Sequence, residues 1–152
     1  MECNGCTLCC KLIAVPWMDS PSGEWCKHCI INVGCKKWDT CPIECKSYEC
    51  SYRQTEKCST DLRPDKIKII FEKVSNDIFF GLNHPDYALT DIAKKQIDSF
   101  VKQGFSVVVS NYKEKKPKLF LAKGHIVNEV LNKINIRLKV LYDSSSIYNR
   151  SK

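Results

Sequence analysis

The chain has 152 residues, 43% of them hydrophobic, and a formal net charge of +7, which suits one domain or two small ones with a modest core. This balance excludes a long disordered chain and a multidomain machine. All eleven cysteines lie in residues 1–58, where seven Lys/Arg balance seven Asp/Glu, so the excess positive charge belongs to the remainder. We therefore predict a cysteine-rich module over residues 1–62, an α+β part over residues 63–143 and a flexible tail over residues 144–152.

Residues 1–60 show little periodicity and place glycine and proline among short polar runs. This pattern predicts loops and turns, with one short helix near residues 42–52. The apolar run Leu12–Val15 predicts a strand or a core plug. The tryptophans of the chain also lie here, and we expect them to cover a small core: Trp17, Trp25 and Trp38.

Regular patterns begin after residue 64. Alternating apolar residues over Ile67–Phe71 predict a half-buried strand, and Asp77–Leu82 predicts a second strand. Thr90 is a suitable N-cap for a helix that runs to about Gln103, because apolar residues recur at helical spacing and Gly104 provides a stop.

The last third of the chain predicts a hairpin, a helix and a strand. Phe105–Ser110 and Lys118–Ala122 flank a Lys-rich turn, residues 126–134 have helical spacing, and Ile136–Tyr142 alternates as a strand would. The order is β-β-α-β-β-α-β. We predict an α+β fold in which an irregular, metal-organised N-terminal module packs on a small sheet, with two helices on one face of that sheet.

The first residues predict a cytoplasmic protein without a membrane partner. Met1-Glu2-Cys3 is not followed by a basic stretch and an apolar run, and no segment approaches about 18 continuous apolar residues. Thiols stay reduced in the cytosol, and eleven cysteines cannot all pair internally. The sequence therefore favours metal binding over a disulfide framework.

Closely spaced cysteines open the chain, at Cys3, Cys6, Cys9 and Cys10. Two cysteines separated by two residues can approach one ion, and Gly5 permits the positive φ that such a turn needs. Adjacent Cys9 and Cys10 do not easily share one tetrahedral ion, so they indicate two metal positions or a cluster with several irons. All-thiolate ligation suits zinc or an iron–sulfur cluster.

The spacing leaves the pairing of the ligands open. One arrangement is a zinc-ribbon-like site formed by Cys3, Cys6, Cys26 and Cys29. A second site would then combine Cys9 or Cys10 with the later cysteines Cys35, Cys45 and Cys50.

The run Cys3–Cys10, followed by Lys11, resembles the signature of the CxxCxxCC cysteine-cluster family, whose members are described as zinc- or iron-chelating domains. The segments Gly34–Trp38, Pro42–Cys45 and Lys46–Cys50 are similar to further motifs of that family. The resemblance covers residues 1 to about 60. It implies these metal ligands: Cys3, Cys6, Cys9, Cys10, Cys29, Cys35, Cys45 and Cys50, with Cys26 as a ninth. Cys41 and Cys58 depart from the pattern and are expected to be free or accessory thiols.

A second candidate surface is the Lys-rich hairpin, formed by Lys113, Lys115, Lys116, Lys118 and Lys123. Such a run is usually a solvated hairpin tip, but it could contact phosphates or an acidic protein partner. No recognised DNA- or RNA-binding motif accompanies it.

Three hypotheses about function follow. The first is a non-catalytic metal-binding protein, in which zinc (about two ions) or an iron–sulfur cluster organises the N-terminal module. Some larger members of the resembled family carry an iron–sulfur cluster and methylate protein lysines, so the second is an iron–sulfur redox or methyl-transfer enzyme. The third is a nucleic-acid- or ribosome-associated module that uses the Lys-rich hairpin.

Overall fold

The computed structural model describes residues 5–15, 18–114 and 116–148 and has the predicted α+β fold. Its larger sheet has four strands in the order β3-β4-β5-β6: β3 (Ile69–Ser75), β4 (Ile78–Asn83), β5 (Ser106–Ser110) and β6 (Lys118–Phe120). β4 and β5 are parallel, while β3 pairs with β4 and β6 pairs with β5 in antiparallel fashion. The predicted hairpin between β5 and β6 is therefore confirmed.

Helix α5 (Asp91–Lys102) forms the crossover between the two parallel strands. The Thr90 side chain accepts a hydrogen bond from the Ala93 N–H, as its N-cap position predicts, and Gly104 has a φ of +91° just beyond the helix. The apolar face of α5 packs against residues of the sheet that include Phe71, Phe79 and Val107. The predicted helix is confirmed.

The short helices of the described chain lie in its first half and at the start of the sheet. They are α1 (Cys9–Leu12), α2 (Ile43–Ser47), α3 (Ser51–Gln54) and α4 (Pro64–Ile67), together with a small hairpin of β1 (Cys29–Ile30) and β2 (Gly34–Cys35). Two helices thus replace the single one expected near residues 42–52. Leu12 is fully buried, so the run that begins there supplies the core plug but not a regular strand.

The prediction of a final strand over Ile136–Tyr142 is wrong, because the helix α6 runs from Val127 to Tyr148. Val130, Ile134, Leu138 and Leu141 form a buried stripe at helical spacing, whereas Ile136 is 80% exposed. Leu138 belongs to both patterns, and no glycine or proline separates Ile134 from Ile136 to end the helix. The helix passes the predicted start of the tail at residue 144, and the end of that tail, residues 149–152, lies outside the described residues.

The expectation that both helices share one face of the sheet is also wrong. α5 covers one face, while α6 and the cysteine-rich module cover the other, where Leu8, Leu12 and Tyr52 join the same hydrophobic cluster as Ile70 and Phe80. Both faces of the sheet are therefore buried, which is why Ile69, Ile70 and Phe71 are all inaccessible rather than alternating. Within the described residues, no helix is both long and apolar enough to cross a bilayer.

Candidate metal centre

Ten of the eleven cysteines lie among the described residues, and all ten are free thiols. Cys3 lies outside the described residues. Eight of the predicted ligands fall into two adjoining groups, which we call the hairpin thiols (Cys10, Cys26, Cys29 and Cys35) and the cavity thiols (Cys6, Cys9, Cys45 and Cys50).

Backbone hydrogen bonds bring the hairpin thiols together. The Cys26 N–H donates to the Cys10 carbonyl at 2.9 Å, and the Cys29 N–H donates to the Cys26 carbonyl at 2.8 Å, which closes a tight turn. Cys29 is then paired with Cys35 across β1 and β2. The Cys10 thiol interacts with the Cys29 thiol, so α1 and the hairpin meet at these sulfurs.

The cavity thiols line a cavity of about 70 Å³ between the module and the sheet. Tyr48, Tyr52 and Trp38 line the same cavity. The Cys6 sulfur accepts hydrogen bonds from the backbone N–H groups of Leu8 and Asp65, and such donors stabilise a thiolate. This grouping places Cys6 with Cys9, unlike the zinc-ribbon-like spacing that would combine it with Cys26 and Cys29.

The two groups touch each other at α1. Cys9 and Cys10 are neighbours in this helix and belong to different groups, and their thiols interact. Cys45 of the cavity group also lies near Cys10, Cys26 and Cys35, and their proximity adds to burial in raising the pKa of Cys45. The thiols therefore form one continuous region with two parts.

Without a cation, this region disfavours thiolates. Burial raises the pKa of Cys6 and of Cys29 to about 12 and the pKa of Cys45 to about 11. The interaction with Cys9, followed by burial, raises the pKa of Cys10. A bound divalent cation reverses this balance, because it supplies the opposite charge and displaces the protons.

The donor atoms fit zinc or an iron–sulfur cluster, since both take soft thiolate ligands. Within the described residues, no group of three or more His, Cys, Asp or Glu side chains is arranged to hold a metal ion. The thiols are thus neighbours that do not converge on one point. Coordination would require side-chain rotation about χ1, which moves a cysteine sulfur between staggered positions without moving the backbone.

Cys41 and Cys58 differ in their relation to these groups. Cys41 is buried, donates a hydrogen bond to the Trp38 carbonyl at 3.2 Å and lies beside Cys45, so it borders the centre. Cys58 is partly exposed, and burial, followed by the proximity of Cys50, raises its pKa.

Some residues beside the thiols carry no signal in the sequence. The Thr7 hydroxyl accepts a hydrogen bond from the Asn32 N–H at 3.1 Å and also interacts with the Cys29 thiol. Burial opposes ionisation of Asp65, but the ion pair with Arg63, 2.6 Å long, lowers its pKa, and this carboxylate lies beside Cys6. These contacts depend on tertiary folding, so spacing along the chain could not reveal them.

The Lys-rich hairpin is partly neutralised by carboxylates of the same chain. Lys113 forms an ion pair with Asp86 at 2.5 Å, and Lys118 forms one with Glu114 at 3.5 Å. Lys116 and Lys123 are exposed. Lys115 lies outside the described residues.

A second group of basic residues lies on the two arms of the β1–β2 hairpin. Partial burial, and then the ammonium groups of Lys37, Lys27 and Lys36, lower the pKa of His28. The Lys36 N–H donates to the His28 carbonyl at 2.8 Å, so the two arms of the hairpin carry these charges side by side.

Comparison with protein-family models, with curated proteins and with solved structures finds no match to this chain. The functional argument therefore depends on the geometry and chemistry of the site itself.

Proposed function

We propose that the protein is a metal-binding protein in which clustered thiolates of residues 3–50 hold zinc, about two ions, or an iron–sulfur cluster. The hairpin thiols and the cavity thiols are the two candidate ligand sets. The role of the bound group is mainly structural: it would join the loops of the N-terminal module, as the resemblance to the CxxCxxCC cysteine-cluster family also implies.

The observation that supports this proposal is that eight free thiols from four separate segments of the chain are neighbours. α1, the β1–β2 hairpin, α2 and the start of α3 each contribute sulfurs, although these elements have between two and five residues. Elements this short are not stable alone, because a helix of one turn leaves most of its backbone groups unpaired. Structural zinc contributes on the order of 10 kcal/mol to small modules, which is enough to hold such elements.

The adjacent pair Cys9 and Cys10 supports two binding positions. Its sulfurs belong to different groups, one with Cys29 and one on the cavity with Cys45 and Cys50. Two neighbouring sites are therefore the simplest occupancy for zinc. An iron–sulfur cluster would take its thiolate ligands either from the hairpin thiols or the cavity thiols alone, or from both groups together.

The first experiment is to measure metal content and the visible spectrum of protein purified without oxygen. About two zinc ions per chain and no visible band would support two structural sites. Iron with matching sulfide and a broad band near about 400 nm would support a cluster. Protein that folds fully without zinc or iron would contradict the proposal.

Paired substitutions then assign the ligands. We expect Cys10→Ser/Cys29→Ser and Cys6→Ser/Cys50→Ser each to lose about half of the bound zinc, because each pair removes ligands from one group. Cys58→Ser is the matched control, since Cys58 belongs to neither group, and it should keep full loading. Undiminished metal content in both double variants would exclude these thiols as ligands.

Metal removal should open the module before the sheet. We expect chelation to expose residues 5–62 to limited proteolysis while the fragment that contains β3–β6 persists longer, because the ligands lie in the module alone. An N-terminal half that stays protected after the metal is lost would show that ligation does not hold it.

A further inference from the structure

We propose that the β1–β2 hairpin is a docking surface for an anionic membrane, with its aliphatic turn entering the interface and its lysines contacting lipid phosphates. This inference does not depend on the proposed metal site. It also departs from the expectation of no membrane partner, which considered spanning segments and not insertion of a surface loop.

The turn of the hairpin presents aliphatic side chains to solvent. Ile30 is 41% exposed, Ile31 is 49% exposed and Val33 is 69% exposed. Asn32 is the one polar residue in this run of four. Soluble surfaces carry single exposed aliphatic residues without consequence, but three at one turn form an apolar tip. Branched aliphatic side chains have no stacking face for a nucleic-acid base, whereas they insert readily into the acyl boundary of a bilayer.

The tip is held in place by the rest of the module. The Val33 N–H donates to the Ile30 carbonyl, and the Asn32 N–H donates to the Thr7 hydroxyl at 3.1 Å. Gly5 packs so closely on the turn that an added Cβ would lie 2.5 Å from the Asn32 carbonyl oxygen. The aliphatic side chains are therefore exposed by a fixed backbone.

Positive charge lies next to the tip. Residues 25–38 contain Lys27, Lys36 and Lys37, all three of them exposed, and no acidic side chain. Cys29 and Cys35 are cross-strand partners in the ribbon, and the thiol of Cys29 meets that of Cys10. The Lys36 N–H donates to the His28 carbonyl at 2.8 Å, so Lys36 lies directly beyond the pairs of β1 and β2, and Lys27 and Lys37 are the next residues along the two arms. Exposed lysines therefore flank the exposed apolar tip on both arms of the hairpin, and an anionic lipid surface complements both.

Tryptophans bracket the same segment. Trp25 is 37% exposed and Trp38 is 51% exposed, so neither is fully used in covering the core. Indole rings favour the headgroup level of a bilayer. Along the hairpin, from turn to base, aliphatic side chains come first and cationic and aromatic side chains follow, which matches the acyl boundary and then the headgroup region, where both lipid phosphates and indole rings lie.

The test is flotation of the full-length protein with vesicles of phosphatidylcholine, with or without about 30% phosphatidylserine. We expect binding to the anionic vesicles that weakens as salt is raised, with a blue shift of tryptophan emission. Ile31→Ser/Val33→Ser should lower the partition coefficient about 10-fold or more. Lys27→Ala/Lys36→Ala/Lys37→Ala should lower it about 100-fold, since each lysine near the surface contributes about 5-fold.

Matched controls use side chains that are equally exposed but far along the chain from the hairpin. Ile136→Ser/Val140→Ser on α6 and Lys95→Ala/Lys102→Ala/Lys139→Ala on α5 and α6 should leave binding unchanged. Circular dichroism verifies that every variant is folded. Absence of wild-type binding, equal binding to neutral vesicles, or equal losses in the controls would overturn the proposal. Hairpin-dependent binding of a single-stranded oligonucleotide without vesicle binding would also overturn it and would assign the lysines to nucleic acid.

Discussion

Gly5 shows how one residue determines the shape of the cysteine-rich module. Its φ is +79°, and a Cβ at this position would lie 2.5 Å from the Asn32 carbonyl oxygen. The positive φ requires the left-handed region of backbone conformation, and the short distance to Asn32 leaves no room for a side chain. The sequence predicts the positive φ, because Gly5 lies between Cys3 and Cys6. The close approach of Asn32 is a tertiary contact, which the sequence does not predict.

We expect Gly5→Ala to lower the free energy of unfolding by about 2–4 kcal/mol, because it combines backbone strain with a backbone clash. Gly104→Ala is the matched control, since Gly104 has a φ of +91° and no heavy atom within 4 Å of the added Cβ. It should lose about 1 kcal/mol from strain alone. Urea unfolding measures both variants, and equal losses would show that the contact with Asn32 is not rigid.

At the scale of elements, α6 is where the two periodicities of the sequence compete. The alternation from Ile136 to Tyr142 favours a strand, while the stripe from Val130 to Leu141 favours a helix. Packing decides between them. The helix buries Ile134 and Leu138 against the cluster that contains Phe80 and Val108, and it leaves Ile136 in solvent.

We expect Leu138→Ala to destabilise the protein by about 2–5 kcal/mol, because a buried side chain is lost. Ile136→Ala should change stability by less than about 0.5 kcal/mol, because that side chain is 80% exposed. Thermal unfolding distinguishes the helix from the strand. In a strand the two side chains would share a face, and both substitutions would then have similar effects.

At the scale of the whole molecule, a polar contact joins the module, the sheet and α6. Arg137 of α6 donates three hydrogen bonds to Glu72 of β3, one from Nε at 3.0 Å and two from Nη2 at 2.8 Å. The Tyr48 hydroxyl, from the segment between α2 and α3, donates to the same carboxylate at 2.7 Å. Burial, and then the Glu72 charge, raise the pKa of Tyr48, so its hydroxyl stays a donor. The Glu72 side chain is 14% exposed, which leaves little water to replace these partners.

We expect Glu72→Ala to cost about 3 kcal/mol, because it leaves the Arg137 guanidinium and the Tyr48 hydroxyl without their acceptor. Tyr48→Phe should cost about 1 kcal/mol, since it removes one hydrogen bond. In a double-mutant cycle with Arg137→Met, Tyr48→Phe should couple to Arg137 through Glu72. Additive losses, measured by urea unfolding, would show that the three elements are joined by apolar packing alone.

The local elements of this protein follow from short-range features of its sequence. Thr90 and Gly104 delimit α5, and the apolar runs of β3–β5 predict strands, because capping groups, glycine and side-chain periodicity act within a few residues. Clustering of all cysteines in residues 1–58 likewise predicts a thiol-rich module, and its metal stays a prediction.

Long-range packing, in contrast, determines which faces are buried and which thiols are neighbours. α6 is a helix because only a helix brings Val130, Ile134 and Leu138 together against one face of the sheet. α5 connects the parallel strands β4 and β5 and covers the opposite face. Sequence spacing allowed several cysteine pairings. Cys9 and Cys10 belong to different thiol groups because the β1–β2 hairpin packs beside Cys10 and α2 packs beside Cys9. These long-range contacts have no local signature in the chain.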